Sequence, residues 1–265
     1  LRKVYYLFKV SMEKSIIELI RYKFNTISDI LSFYALFISM FLGIKIFGNS
    51  MNVSAFNLGN TLEGFVVGYF VWTIMVSAYS DTSYSIINDA SRGTLEQLSM
   101  SNLGLHNILI VRSICNLFMN LLISLVLLFI IMYTTGYWIH IKIFSILIPI
   151  FIGIFSILGI GLIFGGLALI FKKIQSILNI VQYFLIVLLL PLPNSFGKIT
   201  SILIPFRPSS KMIFSTMLEG TSFAGFSMFD YGLMIGNSII YFGIGLLIFN
   251  YCSKLAKRKG VLGQY

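Results

Sequence analysis

Very few side chains in this sequence are equipped for chemistry. The only two histidines, His106 and His140, are far apart and lack the H-E-x-x-H spacing that sets two imidazoles and a base on one helix face around a metal. No two carboxylates share an apolar run in a way that would let one act as acid and the other as base. Gly197-Lys198 is followed by Ile199, so the G-x-x-x-x-G-K-[ST] loop that cradles nucleotide phosphates is missing. These absences argue against an enzyme. They leave one dense polar island, "RGTLEQLSMSN", Arg92 to Asn102. Thr94 followed three residues later by Gln97 reads as a capping box, Gly93 permits the preceding turn, and Leu95, Leu98 and Met100 give one apolar face. Capping does not require Glu96, although a carboxylate in a first helical turn is favoured by the helix dipole.

The elements around this island are apolar. The chain is 57% hydrophobic and 11% charged, against roughly one-quarter charged in soluble domains, so it reads as an all-α integral membrane protein. Runs long enough to cross about 30 Å of hydrocarbon lie near 27–47, 62–87, 108–134, 143–171, 174–190 and 231–252. Lys172 and Lys173 divide the fourth from the short fifth, because two charges at mid-bilayer are unfavourable. The expected fold is a single transmembrane domain over 1–265 with six spans within 27–252.

Topology explains the net charge of +10. Fourteen of the 19 Lys and Arg residues fall on the side shared by both ends of the chain and the 92–104 loop. By the positive-inside rule that side is cytoplasmic, in a multi-pass plasma-membrane protein, and the basic balance needs no nucleic-acid partner. Cys115 and Cys252 fall near the cytoplasmic ends of their spans, so no disulfide is expected. A removable signal peptide is not expected either. Asn52-Val53-Ser54 is a glycosylation sequon by pattern alone. Over 1–24, Leu1, Val4, Tyr5, Phe8, Met12, Ile16 and Leu19 recur at helical steps opposite Lys9, Glu13, Lys14, Glu18 and Arg21. That is an amphipathic helix suited to the inner interface, with its basic face toward lipid headgroups. The outer stretch 191–230 contains Pro191, Pro193, Pro205 and Pro208 between apolar pieces too short to cross, the pattern of re-entrant helices packed on protein.

"RGTLEQL", after the second of six spans, resembles the signature of the type-two ABC transporter permeases, the drug and antibiotic efflux group especially. There a longer form of the motif ends in proline; here "SMSN" takes that place. The resemblance also covers the interfacial helix, the six spans and the membrane-dipping segment. It implies that 92–104 forms a coupling helix, with Thr94, Leu95, Glu96, Gln97, Leu98 and Met100 docking on a separate ATPase that binds ATP and Mg. This chain itself would carry no cofactor. A second permease copy, or a related permease, would face it across a central path for a drug, peptide antibiotic or lipid-like substrate. A secondary transporter or channel without an ATPase is the alternative class.

Inside the spans, Asp81 and Arg112 are placed to pair across neighbouring antiparallel helices, or else to snorkel separately. Gly64/Gly68, Gly161/Gly165 and Gly232/Gly236 have the spacing of close helix contacts. Gln175, Asn179 and Gln182 share one face of the fifth span, and Phe65, Tyr69, Trp72, Val76 and Tyr79 share one of the second. Either these faces pack, or they line the substrate path that the resemblance assigns to those two spans.

Overall fold

A computed structural model describes residues 2–51, 62–101, 104–171, 174–189 and 202–258. Among these, secondary structure is helical throughout: α1 Arg2–Arg21, α2 Lys23–Met51, α3 Leu62–Ser91, α4 Thr94–Ser99, α5 Leu105–Thr135, α6 Ile143–Ile170, α7 Gln175–Val187, α8 Arg207–Glu219 and α9 Met228–Arg258. Five of them, α2, α3, α5, α6 and α9, are long and apolar enough to cross a membrane. The fifth expected span appears as α7, whose 13 residues rise only about 20 Å at 1.5 Å each. The sequon at Asn52, Lys172 and Lys173, and the Pro191–Pro193 turn lie outside the described residues. Tyr133 and Trp138 are exposed near one end of the bundle, and Tyr5, Tyr6, Tyr22 and Tyr251 near the other. Amphipathic rings of this kind favour the two membrane–water boundaries.

The hub is α3. Its apolar window is 83% buried, against 11% for α2. It packs on α5, α6, α7 and α8, whereas α2 is attached through an aromatic column in which Phe37 stacks on Phe41 and Phe65 and meets Tyr69 edge-on. The Tyr69 hydroxyl donates to the Phe33 carbonyl at 2.5 Å. Most of the α2 surface is left uncovered by the rest of the described residues.

Small residues set the closest approaches. A Cβ on Gly161 would sit 2.9 Å from the Thr82 Cβ, and one on Gly165 would sit 2.3 Å from the Ile86 Cδ1, so the expected 161/165 pair is the α3–α6 contact. The 232/236 pair makes no such contact within the described residues of the chain. A Cβ there meets nothing within 4 Å, because those glycines lie on α9 away from α6. The tightest seam joins α6 and α9, where Gly159 and Gly245 bring backbone against backbone. Without a hydrophobic drive between helices in lipid, this close packing is what holds them together.

The α8 helix dips into the bundle. Its first turn lies beside Gly153, where Ser209 and the Phe206 ring occupy the space a Cβ would need. Gly153 is ten residues into α6, about 15 Å along it. At the other end of α8, the His140 amide donates to the Met217 carbonyl at 3.1 Å, and the Lys142 ammonium donates to the Gly220 carbonyl. Irregular backbone at such depth must be satisfied by protein. Asn237 of α9, 1% exposed, does this. Its Oδ1 accepts the Phe206 amide at 3.0 Å, and its Nδ2 donates to the Ile202 and Ile204 carbonyls at 2.9 Å each. Phe206 is held at φ 64°, the one non-glycine residue with positive φ among those described.

Candidate functional site

The island forms a two-turn helix fastened where α3 ends and α5 begins. Gly93, at φ 69°, makes the turn, and Thr94 is the first helical residue. Its hydroxyl donates back to the Asp89 carbonyl at 3.1 Å and reaches the Asp89 carboxylate at 3.4 Å, a tie that the capping-box pattern does not contain. Leu95 is fully buried in a cluster with Ile86, Ala90, Leu105, Leu109 and Phe249. The expectation that Leu95, Leu98 and Met100 form a single docking face is therefore corrected. Leu95 anchors α4 to its own chain, Leu98 is half-buried against the same cluster, and Gln97 and Met100 face outward. The side chains of Glu96 and His106 are outside what the structure describes.

The expected Asp81–Arg112 pair is also corrected. Arg112 Nη1 donates to Asp89 Oδ2 at 2.5 Å, with 24% and 16% of the two side chains exposed. Asp81 instead accepts from the Asn120 amide. The register explains both contacts. Asp81 is eight residues, about 12 Å, from Asp89 along α3, and Asn120 is the same step from Arg112 along antiparallel α5. Asp89 and Asn120 were missed, and pairing α3 with α5 antiparallel in this register would have found both.

The Asp89 carboxylate thus joins three elements: its own helix, Arg112 of α5 and Thr94 of α4. A charge-assisted hydrogen bond contributes about 1.5–3 kcal/mol, discounted here because both groups are partly solvated. Arg112→Ala and Asp89→Asn are each expected to lower the melting temperature of the detergent-solubilised protein. The exchange Asp89→Arg with Arg112→Asp should recover most of the loss. A double variant no better than the singles would show that the pair is not a local clamp. Around this clamp, α1 lies along α5 with the Ser15 hydroxyl donating to Asn116 Oδ1 at 3.2 Å. Between them a cavity of about 400 Å³ is lined by Ser11, Lys14, Glu18, Asn88, Arg92 and Arg112, among others.

The residues expected along a substrate path divide. Phe65, Tyr69 and Trp72 are each 5% exposed or less. They pack against α2 and α7, with the Trp72 indole donating to the Gln182 carbonyl at 3.4 Å. This corrects their assignment to an open path, because in this structure they are core. Gln175 and Asn179 are exposed on α7 and Gln182 is half-buried. Asn179 Oδ1 accepts from the Tyr84 hydroxyl at 2.8 Å. The amide face therefore runs along the edge where α7 leaves α3, beside the exposed Ile177, Ile180, Tyr183 and Phe184. Among the described residues no group of three or more His, Cys, Asp or Glu side chains is placed to hold a metal ion. Comparison with protein-family models, curated proteins and solved structures gives no match.

Proposed function

We propose that this membrane-embedded helical protein is the permease subunit of an ATP-driven exporter of the type-two ABC class. In this reading α4 is the handle on which a separate ATPase acts. One observation carries the reading: a short helix bearing "TLEQL" is clamped at the inner ends of two spanning helices while Gln97 and Met100 are left uncovered. A transmitted push needs a rigid attachment and a free face. Leu95, the Thr94–Asp89 tie and the Asp89–Arg112 pair supply the first, and Gln97 with Met100 the second. The six-span count belongs to this proposal, with α7 continuing through the residues after Leu189 to complete the fifth crossing. So does a second permease copy or a related permease, the exposed α7 edge with Gln175 and Asn179 facing the shared path. The substrate is a hydrophobic or amphipathic molecule leaving the cytoplasm or inner leaflet.

The test is purification from native membranes followed by ATP-hydrolysis measurements with candidate amphipaths. The expected result is co-purification of an ATP-binding-cassette subunit whose hydrolysis is stimulated by substrate. In Met100→Asp that stimulation should fall at least tenfold while the permease keeps its melting temperature, since a charge at a desolvated contact is strongly unfavourable. An unchanged stimulation would remove α4 from the contact. The alternative, a secondary transporter, gains one observation, two cavities of about 460 and 320 Å³ that Asp81 of α3 lines, since carriers place ionisable residues within their spans. Transport driven by an ion gradient in liposomes containing this chain alone would decide for it.

A further inference from the structure

Beside the α4 clamp, and higher in the bundle, two contiguous cavities open between α1, α2, α3 and α5. The inner one, about 460 Å³, includes Glu18, Tyr22, Asn25 and Asn116 in its lining. The deeper one, about 320 Å³, is lined by Thr73, Ser77 and Ser80 of α3, Ser124 of α5 and Asp29 of α2, among others. Asp81 and Asn120 line both. The chain has 19 Lys and Arg against nine Asp and Glu, yet these cavities have three carboxylates, Glu18, Asp29 and Asp81, and neither has a Lys or Arg in its lining. Lys14 meets Glu18 at 3.6 Å from outside, which leaves Asp29 and Asp81 without a cationic partner among the described residues.

The hydrogen-bond directions sharpen this asymmetry. Thr73 and Ser80 donate their protons to their own helix, at Phe70 and Val76, so toward the cavity they present lone pairs. Asp81 takes one proton from Asn120, and Asp29 takes one from Asn25 at 3.1 Å. Ser124 is 5% exposed and lines the deeper cavity. The wall thus carries carboxylates and hydroxyl oxygens but no cationic side chain. Apart from Thr26, the remaining lining of the deeper cavity is apolar, from Leu19, Ile30, Phe33, Ile123 and Leu127. Phe33 is the aromatic residue of that lining, and aromatic rings attract cations to their faces. A bare metal ion would leave that apolar lining unused, and the volume matches a small organic ligand.

We propose that this cavity binds the ammonium head of an amphiphilic organic cation, with Asp81 as the counter-charge, Ser124 and Asn120 as polar contacts, and the tail along Phe33 and Ile123. The head reaches the site from the inner surface through the wider cavity. The site goes beyond the ATPase-coupling reading and does not depend on it, since binding is measured on the permease alone.

The experiment measures thermal unfolding of the full chain in zwitterionic nanodiscs with n-octylammonium, n-octanol or n-octanoate at equal concentration. The three share a tail and differ in head charge, which separates binding from partitioning. Octylammonium is expected to raise the unfolding midpoint several degrees above octanol, with octanoate giving no gain. The difference should vanish in Asp81→Asn. Should that variant fail to fold, Ser124→Val, which narrows the cavity with Asp81 in place, is expected to shrink the octylammonium gain to less than half. Sodium or potassium exchanged for choline at constant ionic strength is expected to change little. An equal shift with octanol, a shift that survives both substitutions, or a sodium-dependent shift as large as that with octylammonium would overturn the proposal. A headgroup source is separated by adding phosphatidylethanolamine. If it competes with octylammonium, the occupant is an aminolipid; if it does not, the occupant is a free amphiphile.

Discussion

Gly245→Ala is expected to separate α9 from α6 and to destabilise the protein severely, whereas Gly243→Ala, two residues away, leaves it unchanged or slightly more stable. In an open helical position the added methyl favours the helix by up to about 1 kcal/mol. Gly243 is such a position, with nothing within 4 Å of its Cβ direction. At Gly245 the same methyl would lie 2.3 Å from the Gly159 carbonyl oxygen and 2.6 Å from its Cα. These are backbone atoms and cannot rotate away. Overpacking typically costs about 1–3 kcal/mol and more where backbones must part, so the sign reverses within half a turn. Gly159→Ala, whose methyl would meet the Tyr241 carbonyl at 2.3 Å, should behave like Gly245→Ala. Size-exclusion profiles and melting temperatures in detergent read the effect. Equal behaviour of the 243 and 245 variants would show that the α6–α9 seam is looser than described.

Asn237→Leu is expected to release the turn that admits α8 into the bundle. The substitution leaves the Phe206 amide and the Ile202 carbonyl without the bonds that Asn237 makes to them. Each unsatisfied buried group costs about 1–3 kcal/mol, and in hydrocarbon water does not compensate. Phe206 is held at φ 64°, a conformation that costs a bulky residue of order 1–3 kcal/mol and persists only while its surroundings impose it. The loss should appear as a lowered melting temperature and as thiol labelling at Ser209→Cys, a position 1% exposed in the native chain. Ser238→Ala, adjacent and buried but bonded only to its own helix at Met234, should do little. Protection of Ser209→Cys in the Asn237→Leu background would contradict the role given to Asn237.

The long helices were legible because composition and length suffice to find them. The run read at 62–87 is α3, Leu62–Ser91, and that at 143–171 is α6, Ile143–Ile170. Which faces pack was not legible, for a physical reason. In a membrane both the interior and the surroundings are apolar, so hydropathy cannot tell a lipid-facing stripe from a core one. Phe65, Tyr69 and Trp72 looked like a path and are core. Leu95, Leu98 and Met100 looked like one face, yet their burial differs because α4 is pressed against the α3–α5 ends. Asp81 and Arg112 were each recognised as needing a partner, but choosing it requires the register between helices, which no local pattern encodes. Asn237 gave no signal at all, because its partners are backbone atoms of a turn about thirty residues upstream.

The most direct test of coupling through α4 is site-specific photocross-linking in native membranes, with the cross-linker placed at Met100 and, as a control, at exposed Tyr133 on the opposite side. The expected result is a Met100 adduct with a polypeptide carrying a G-x-x-x-x-G-K-[ST] nucleotide loop, formed more strongly with ATP present, and no such adduct from Tyr133. A Met100 that cross-links only to lipid or to this chain, while the protein transports substrate, would contradict it.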